Sequence, residues 1–125
     1  MERRNVARKR ILLVEDNEFN RDLFTQILAD EFDIVAAIDG VTGIAKAIEE
    51  QPDLILMDLG LPALDGWEAT RRIKAHDALK HIPVVAVTSH AMADDERRAR
   101  AAGCDDYLAK PIDEDDLVAK IRKLI

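Results

Sequence analysis

The chain has 125 residues, 48% hydrophobic and 34% charged, with a net charge of −7. That length suits one domain able to bury its own core without disulfides or metal, and the composition excludes a disordered chain. The one cysteine, Cys104, excludes an internal disulfide and fits a reducing compartment, here read as the cytoplasm.

No apolar run approaches the ~18–20 residues of a membrane span. The basic start MERRNVARKR has no apolar segment behind it, so it is not a secretory signal. Residues 1–10 hold five basic groups and one acid, leaving 13 basic against 24 acidic groups and a balance of −11 on the rest. An acidic body excludes direct nucleic-acid binding as the main role, because phosphate contacts dominate that affinity. Residues 1–8 are expected to be a basic flexible arm, and residues 9–125 a single domain.

Short apolar runs alternate with longer segments of helical period. The runs are RILLVE (10–15), DIVAA (33–37), DLILM (53–57), PVVAVT (83–88) and DYLAK (106–110). Several are apolar on successive residues, as strands buried on both faces are. Between them, Phe19, Leu23, Phe24, Ile27 and Leu28 follow one helical face. Ile44, Ala47 and Ile48 follow another, and Leu117, Ile121 and Leu124 a third. Gly40 lies near the start of the second helix, Pro52 and Pro83 precede strands, and Gly103 closes the helix containing DDERRARAA. Five strand-then-helix units in series predict an α/β fold: a doubly wound, five-stranded parallel sheet with helices on both faces.

In such sheets, function gathers beyond the carboxyl ends of the strands. The first strand ends in Glu15 and Asp16, the third in Asp58, the fourth in Thr88 and Ser89, and the fifth in Lys110 and Pro111. Each has an ordinary reading. Asp16 could cap a helix, Asp58 could bond its own turn, Thr88 could be a strand residue and Lys110 a solvated one. Together they are harder to dismiss. Two unit charges ~4 Å apart repel by about 4 kcal/mol at an effective dielectric near 20, so crowded carboxylates call for a cation. An all-oxygen set favours Mg²⁺, with Mn²⁺ as a substitute. No zinc spacing and no GxxxxGK[ST] loop is present. An aspartate can itself be a nucleophile that forms an aspartyl-phosphate.

In order and spacing, LLVEDNEFN, DLILMDLGLPALDG, PVVAVTSHA and GCDDYLAKP resemble the receiver domain of two-component response regulators. The resemblance covers residues 9–125. It looks closest to stand-alone receivers of the cell-division type or to receivers of hybrid kinases. It implies a flavodoxin-like sheet of order 2-1-3-4-5 with five helices. It implies Asp58 as phosphoacceptor, and Glu15, Asp16, Asp58 and the Gly60 carbonyl as Mg²⁺ ligands. Lys110 would pair with the phosphoryl group, with a cis bond to Pro111. Thr88 would be the switch hydroxyl and Tyr107 the aromatic that follows it. The phosphodonor would be a histidine kinase or phosphotransfer protein. A downstream protein would bind residues 91–125, and the phosphoprotein would slowly dephosphorylate itself.

Gly60, Ser89 and His90 depart from common choices at positions that tune the phosphate's lifetime in this family. A haloacid-dehalogenase-type phosphatase would want D-x-D, but Leu59-Gly60 follows Asp58. A degenerate receiver would lack the acceptor, an acid or the lysine. A flavin-binding relative would need a phosphate-cradling loop where EDNEFN stands. No output domain is expected after Ile125, which leaves signalling by protein contact rather than an enzyme acting on a separate substrate.

Overall fold

The computed structural model describes residues 8–89 and 93–125. Strands β1 (Arg10–Val14), β2 (Asp33–Ala37), β3 (Leu54–Asp58), β4 (Val84–Thr88) and β5 (Asp106–Ala109) alternate with five helices. These are α1 (Glu18–Leu28), α2 (Gly40–Glu50), α3 (Gly66–Ala75), α4 (Ala93–Ala102) and α5 (Glu114–Leu124). All pairings are parallel and the order is β2-β1-β3-β4-β5. The fold is therefore the doubly wound, flavodoxin-like sheet that the sequence predicts.

Strand alternation divides the core into two layers. Leu12, Val14, Ile55, Met57, Val84 and Ala86 face one side, with Ala47 of α2, Ala69 and Ile73 of α3 and Ala99 of α4. Ile11, Leu13, Leu54, Leu56, Val85 and Val87 face the other, with Phe24 and Leu28 of α1 and Leu117 and Ile121 of α5. Burying each large aliphatic side chain stabilises the fold by about 1.5–3 kcal/mol. Leu56→Ala, in the central strand, would cost roughly 2–5 kcal/mol.

The starts of α1, α2, α3 and α5 are fixed by side chains that accept orphan backbone N–H groups. Asn17, Asp39, Asp65 and Asp113 each accept from the residue three positions on. Asp16 is therefore not a cap, although capping is its simplest isolated reading. Gly103 ends α4 at φ 108, the left-handed region that favours glycine.

Two expected faces are only half covered. Phe24 and Leu28 are buried, but Phe19 is 74% exposed and Leu23 40%. All four lie on α1, but of them only Phe24 and Leu28 join the core layer that contains Ile11, Leu13, Leu117 and Ile121. Likewise Ala47 is buried while Ile48 is exposed. Strand β2 is one edge of the sheet and mostly half-buried.

Arg8 is the described part of the basic arm. Its guanidinium donates to the carbonyls of Ala29 and Phe32 and lies 3.4 Å from Asp33. Among the described residues, no helix is long and apolar enough to cross a membrane. The winding reverses between β1 and β3, so their carboxyl ends flank the switch point where such sheets place their sites.

Candidate functional site at the carboxyl rim of the sheet

The rim is built by strands that stop in register. Glu15 directly follows β1, and its N–H still donates to Ala37 O at 3.0 Å. Asp58 is the last residue of β3, and the N–H of Leu59 donates to Val87 O at 2.9 Å. Lys110 follows β5, its N–H donating to Thr88 O at 2.7 Å. These ladders hold the carboxylates and the lysine on rigid backbone.

Oxygens of Glu15, Asp16 and Asp58 all lie within 4.8 Å of one another. Glu15 and Asp58 are buried and Asp16 is exposed. Lys110 Nζ is 3.1 Å from Glu15 Oε1 and 3.8 Å from Asp58 Oδ2. The Asn17 N–H donates to Glu15 Oε2 at 3.2 Å, and the Gly60 N–H to Asp58 Oδ1 at 2.9 Å. The turn role open to Asp58 is thus real, and it leaves Oδ2 facing the lysine. Burial, and then the charge of Asp58, push the Glu15 carboxyl above its ordinary range; the Asn17 N–H and Lys110 oppose this. The set is all oxygen with one exposed member, which fits a hard divalent cation such as Mg²⁺ and no soft metal.

Thr88 ends β4 and is 6% exposed, one residue past Val87, the partner of Asp58 in the ladder. Ser89 is exposed beyond it. Tyr107 lies on β5 opposite Ala86, half-buried against the layer of α2, α3 and α4. The Lys110–Pro111 peptide is cis. His90 lies outside the described residues, as does the first part of the 91–125 surface.

Two glycines beside Asp58 differ sharply. A Cβ on Gly60 would meet Asp58 Oδ1 at 3.6 Å, an ordinary contact. A Cβ on Gly66 would fall 2.2 Å from the Asp58 carbonyl oxygen. Gly66 therefore lets α3 start directly on the strand end, a close approach that reads in sequence only as turn punctuation. Arg21 is another residue that sequence reasoning missed. Its guanidinium donates to the carbonyls of Glu15 and Asp16, each at 3.0 Å, and so fixes the acidic loop from α1.

A family model described as the response regulator receiver domain matches residues 11–122. The chain belongs to this family. Receivers of this family serve two-component systems, take a phosphoryl group on an aspartate and bind Mg²⁺ in an acidic pocket. The receiver is 41% identical over 118 residues to the polar-differentiation response regulator DivK of Brucella anthropi, covering 94% of this chain and 96% of that protein. It is similar at 35% identity to the receiver domain of a sensor histidine kinase from Pseudomonas aeruginosa PAO1, with a TM-score of 0.87. That alignment covers 94% of this chain and 98% of the other, which was solved with a magnesium ion coordinated in its active-site cleft. The chemotaxis protein CheY4 of Vibrio cholerae shares the fold at a TM-score of 0.89 and 23% identity, over 95% of this chain and 100% of that one.

Proposed function

We propose that this receiver accepts a phosphoryl group on Asp58 from a phosphohistidine of a kinase or phosphotransfer protein. The observation that carries this reading is the buried Asp58 within 4.8 Å of Glu15 and Asp16, with Lys110 Nζ 3.8 Å from its Oδ2. A carboxylate oxygen of Asp58 attacks phosphorus. The P–N bond to the donor imidazole breaks, and the departing nitrogen keeps the electron pair and takes a proton. Hydrolysis reverses the modification: water attacks phosphorus, the P–O bond to Asp58 breaks, and inorganic phosphate leaves.

Glu15, Asp16, Asp58 and the Gly60 carbonyl would hold Mg²⁺, or Mn²⁺ in its place. The ion, when bound, supplies positive charge for the phosphoryl oxygens. Lys110, 3.8 Å from Asp58 Oδ2, supplies a second positive charge. The Thr88 hydroxyl donates to the phosphoryl group, and Tyr107 moves inward as Thr88 closes. That two-state pair shifts the surface of residues 91–125 toward a downstream protein. Gly60, Ser89 and His90 set how easily water reaches the acyl phosphate.

The likeness to a polar-differentiation response regulator supports a role in polar-differentiation signalling. The acidic body supports action through protein contacts rather than nucleic acid, and the single cysteine a reducing compartment such as the cytoplasm. The likeness to a Mg²⁺-bound kinase receiver supports the metal. Incubation with Mg²⁺ and acetyl phosphate, followed by intact mass measurement, tests the chemistry. One added phosphoryl group is expected, and none in Asp58→Asn. No gain in the wild-type protein, or an equal gain in Asp58→Asn, overturns the assignment.

A further inference from the structure

We infer that α3 is a strut linking the backbone of Asp58 to α4 and the α4–β5 turn, with the Arg98–Trp67 contact as its latch. The strut's near end is Gly66. Its N–H donates to Leu59 O at 3.4 Å, and its Cα lies so close that a Cβ would meet the Asp58 carbonyl at 2.2 Å. Motion of the first turn of α3 therefore displaces the strand end that carries the Asp58 side chain.

Along α3, Trp67, Thr70 and Lys74 share one helical face, at spacings of three and four residues. Each reaches across to the segment 98–105. The Arg98 guanidinium carbon stands 4.4 Å from the centroid of the Trp67 ring. The Cys104 thiol donates to Thr70 Oγ1 at 3.9 Å, and the fully buried Thr70 hydroxyl donates to Gly66 O at 2.8 Å. Lys74 Nζ donates to Asp105 Oδ2 at 2.9 Å and Ile82 O at 2.7 Å. The chain Cys104–Thr70–Gly66 thus ends on Asp58 through buried contacts.

Of these contacts, Arg98–Trp67 and Lys74–Asp105 each have an exposed member that a partner could reach, and Arg98–Trp67 is the one at the turn that follows Gly66. Arg98 is exposed on α4, and the ring beneath it is half-buried. A protein that engages Arg98 withdraws the cation from Trp67 and loosens the turn seated on Asp58. Coupling of this kind is reciprocal, so a change at the rim also alters how readily Arg98 is released. This path invokes neither the Thr88 hydroxyl nor a movement of Tyr107, although the Tyr107 ring packs against the same core layer as Trp67. Its regulatory meaning rests on the phosphoacceptor reading, while the mechanical link does not.

Amide hydrogen exchange by NMR on the whole metal-free protein tests the link. Arg98→Met keeps most of the stem but removes the cation, and should speed exchange of the Gly60 and Gly66 amides about two- to fivefold, the range an exposed cation–π contact supports. Arg98→Lys should restore most of the protection. Arg72→Met breaks a Glu68 pair on the same helix that does not reach α4, and should leave both amides unchanged. Unchanged amides in Arg98→Met, or equal acceleration in Arg72→Met, overturns the proposal. Acetyl phosphate labelling reads the phosphoacceptor assignment separately, and its failure leaves the exchange result decisive for the strut.

Discussion

Lys110 leans toward Glu15 rather than Asp58: its ammonium is 3.1 Å from Glu15 Oε1 and 3.8 Å from Asp58 Oδ2. The charge of Asp58 is thus only partly neutralised, and it helps to push the Glu15 carboxyl upward. Removing that charge relieves repulsion between two buried groups. Asp58→Asn should stabilise the metal-free protein by about 1 kcal/mol or more, the scale of one pKa unit. Urea unfolding in the presence of a chelator measures this. A lower midpoint than wild type would contradict it.

The raised Glu15 carboxyl sets the sign of a pH effect. The unfolded chain releases this proton near 4.5, whereas the folded chain holds it to higher pH. The folded state therefore binds more protons in that window, and its stability falls as pH rises from 4.5 through the folded value. Metal-free urea midpoints should decline across this range. The decline should flatten in Glu15→Gln and shrink in Asp58→Asn. Saturating Mg²⁺ should reverse the trend, since metal selects the ionised carboxylates.

The two glycines flanking the loop should respond oppositely to the same methyl group. Gly60 lies outside the left-handed region and has room for a Cβ, so Gly60→Ala should fold with stability within about 1 kcal/mol of wild type. A bulkier Gly60→Leu should slow loss of the phosphoryl group by shielding Asp58 from water, which mass spectrometry over time would follow. Gly66→Ala drives a Cβ into the Asp58 backbone, and should cost roughly 1–3 kcal/mol or more together with most acetyl phosphate labelling. Equal behaviour of the two alanine variants would mean that the seat of α3 does not matter to Asp58.

Residue type and order made much of this molecule legible. Successive apolar residues in 54–57 and 84–87 mark strands buried on both faces, and their ends locate the rim. Helical period was less informative about burial. It grouped Phe19 and Leu23 with Phe24, but whether a turn is covered depends on what packs across from it. Gly66 and Arg21 were illegible for a related reason. A glycine after a loop and an arginine on a helix are common in solvated places, and only the folded chain brings one onto Asp58 and the other onto the acidic loop.

Arg21 yields a prediction of its own. It binds no ligand directly, yet its guanidinium ties down the Glu15 and Asp16 carbonyls at 3.0 Å. Groups that orient metal ligands from behind commonly contribute 10–100-fold in affinity. Arg21→Met should weaken Mg²⁺ binding about tenfold, with partial recovery in Arg21→Lys. Calorimetric titration with Mg²⁺ measures this. An unchanged affinity in Arg21→Met would show that the loop holds its shape without the clamp.

Trp67 offers an optical readout of the same site, being the only tryptophan and the residue after Gly66. Its ring packs partly into the core and carries Arg98 above it, so any shift in the first turn of α3 alters both contacts. Fluorescence should change when Mg²⁺ and acetyl phosphate are added together. Asp58→Asn should lose the part that depends on the phosphodonor and keep at most the response to metal. Because indole emission follows local polarity, Arg98→Met should alter the starting intensity without abolishing the change. An identical response in Asp58→Asn would assign the signal to metal alone and separate Trp67 from the phosphoryl chemistry.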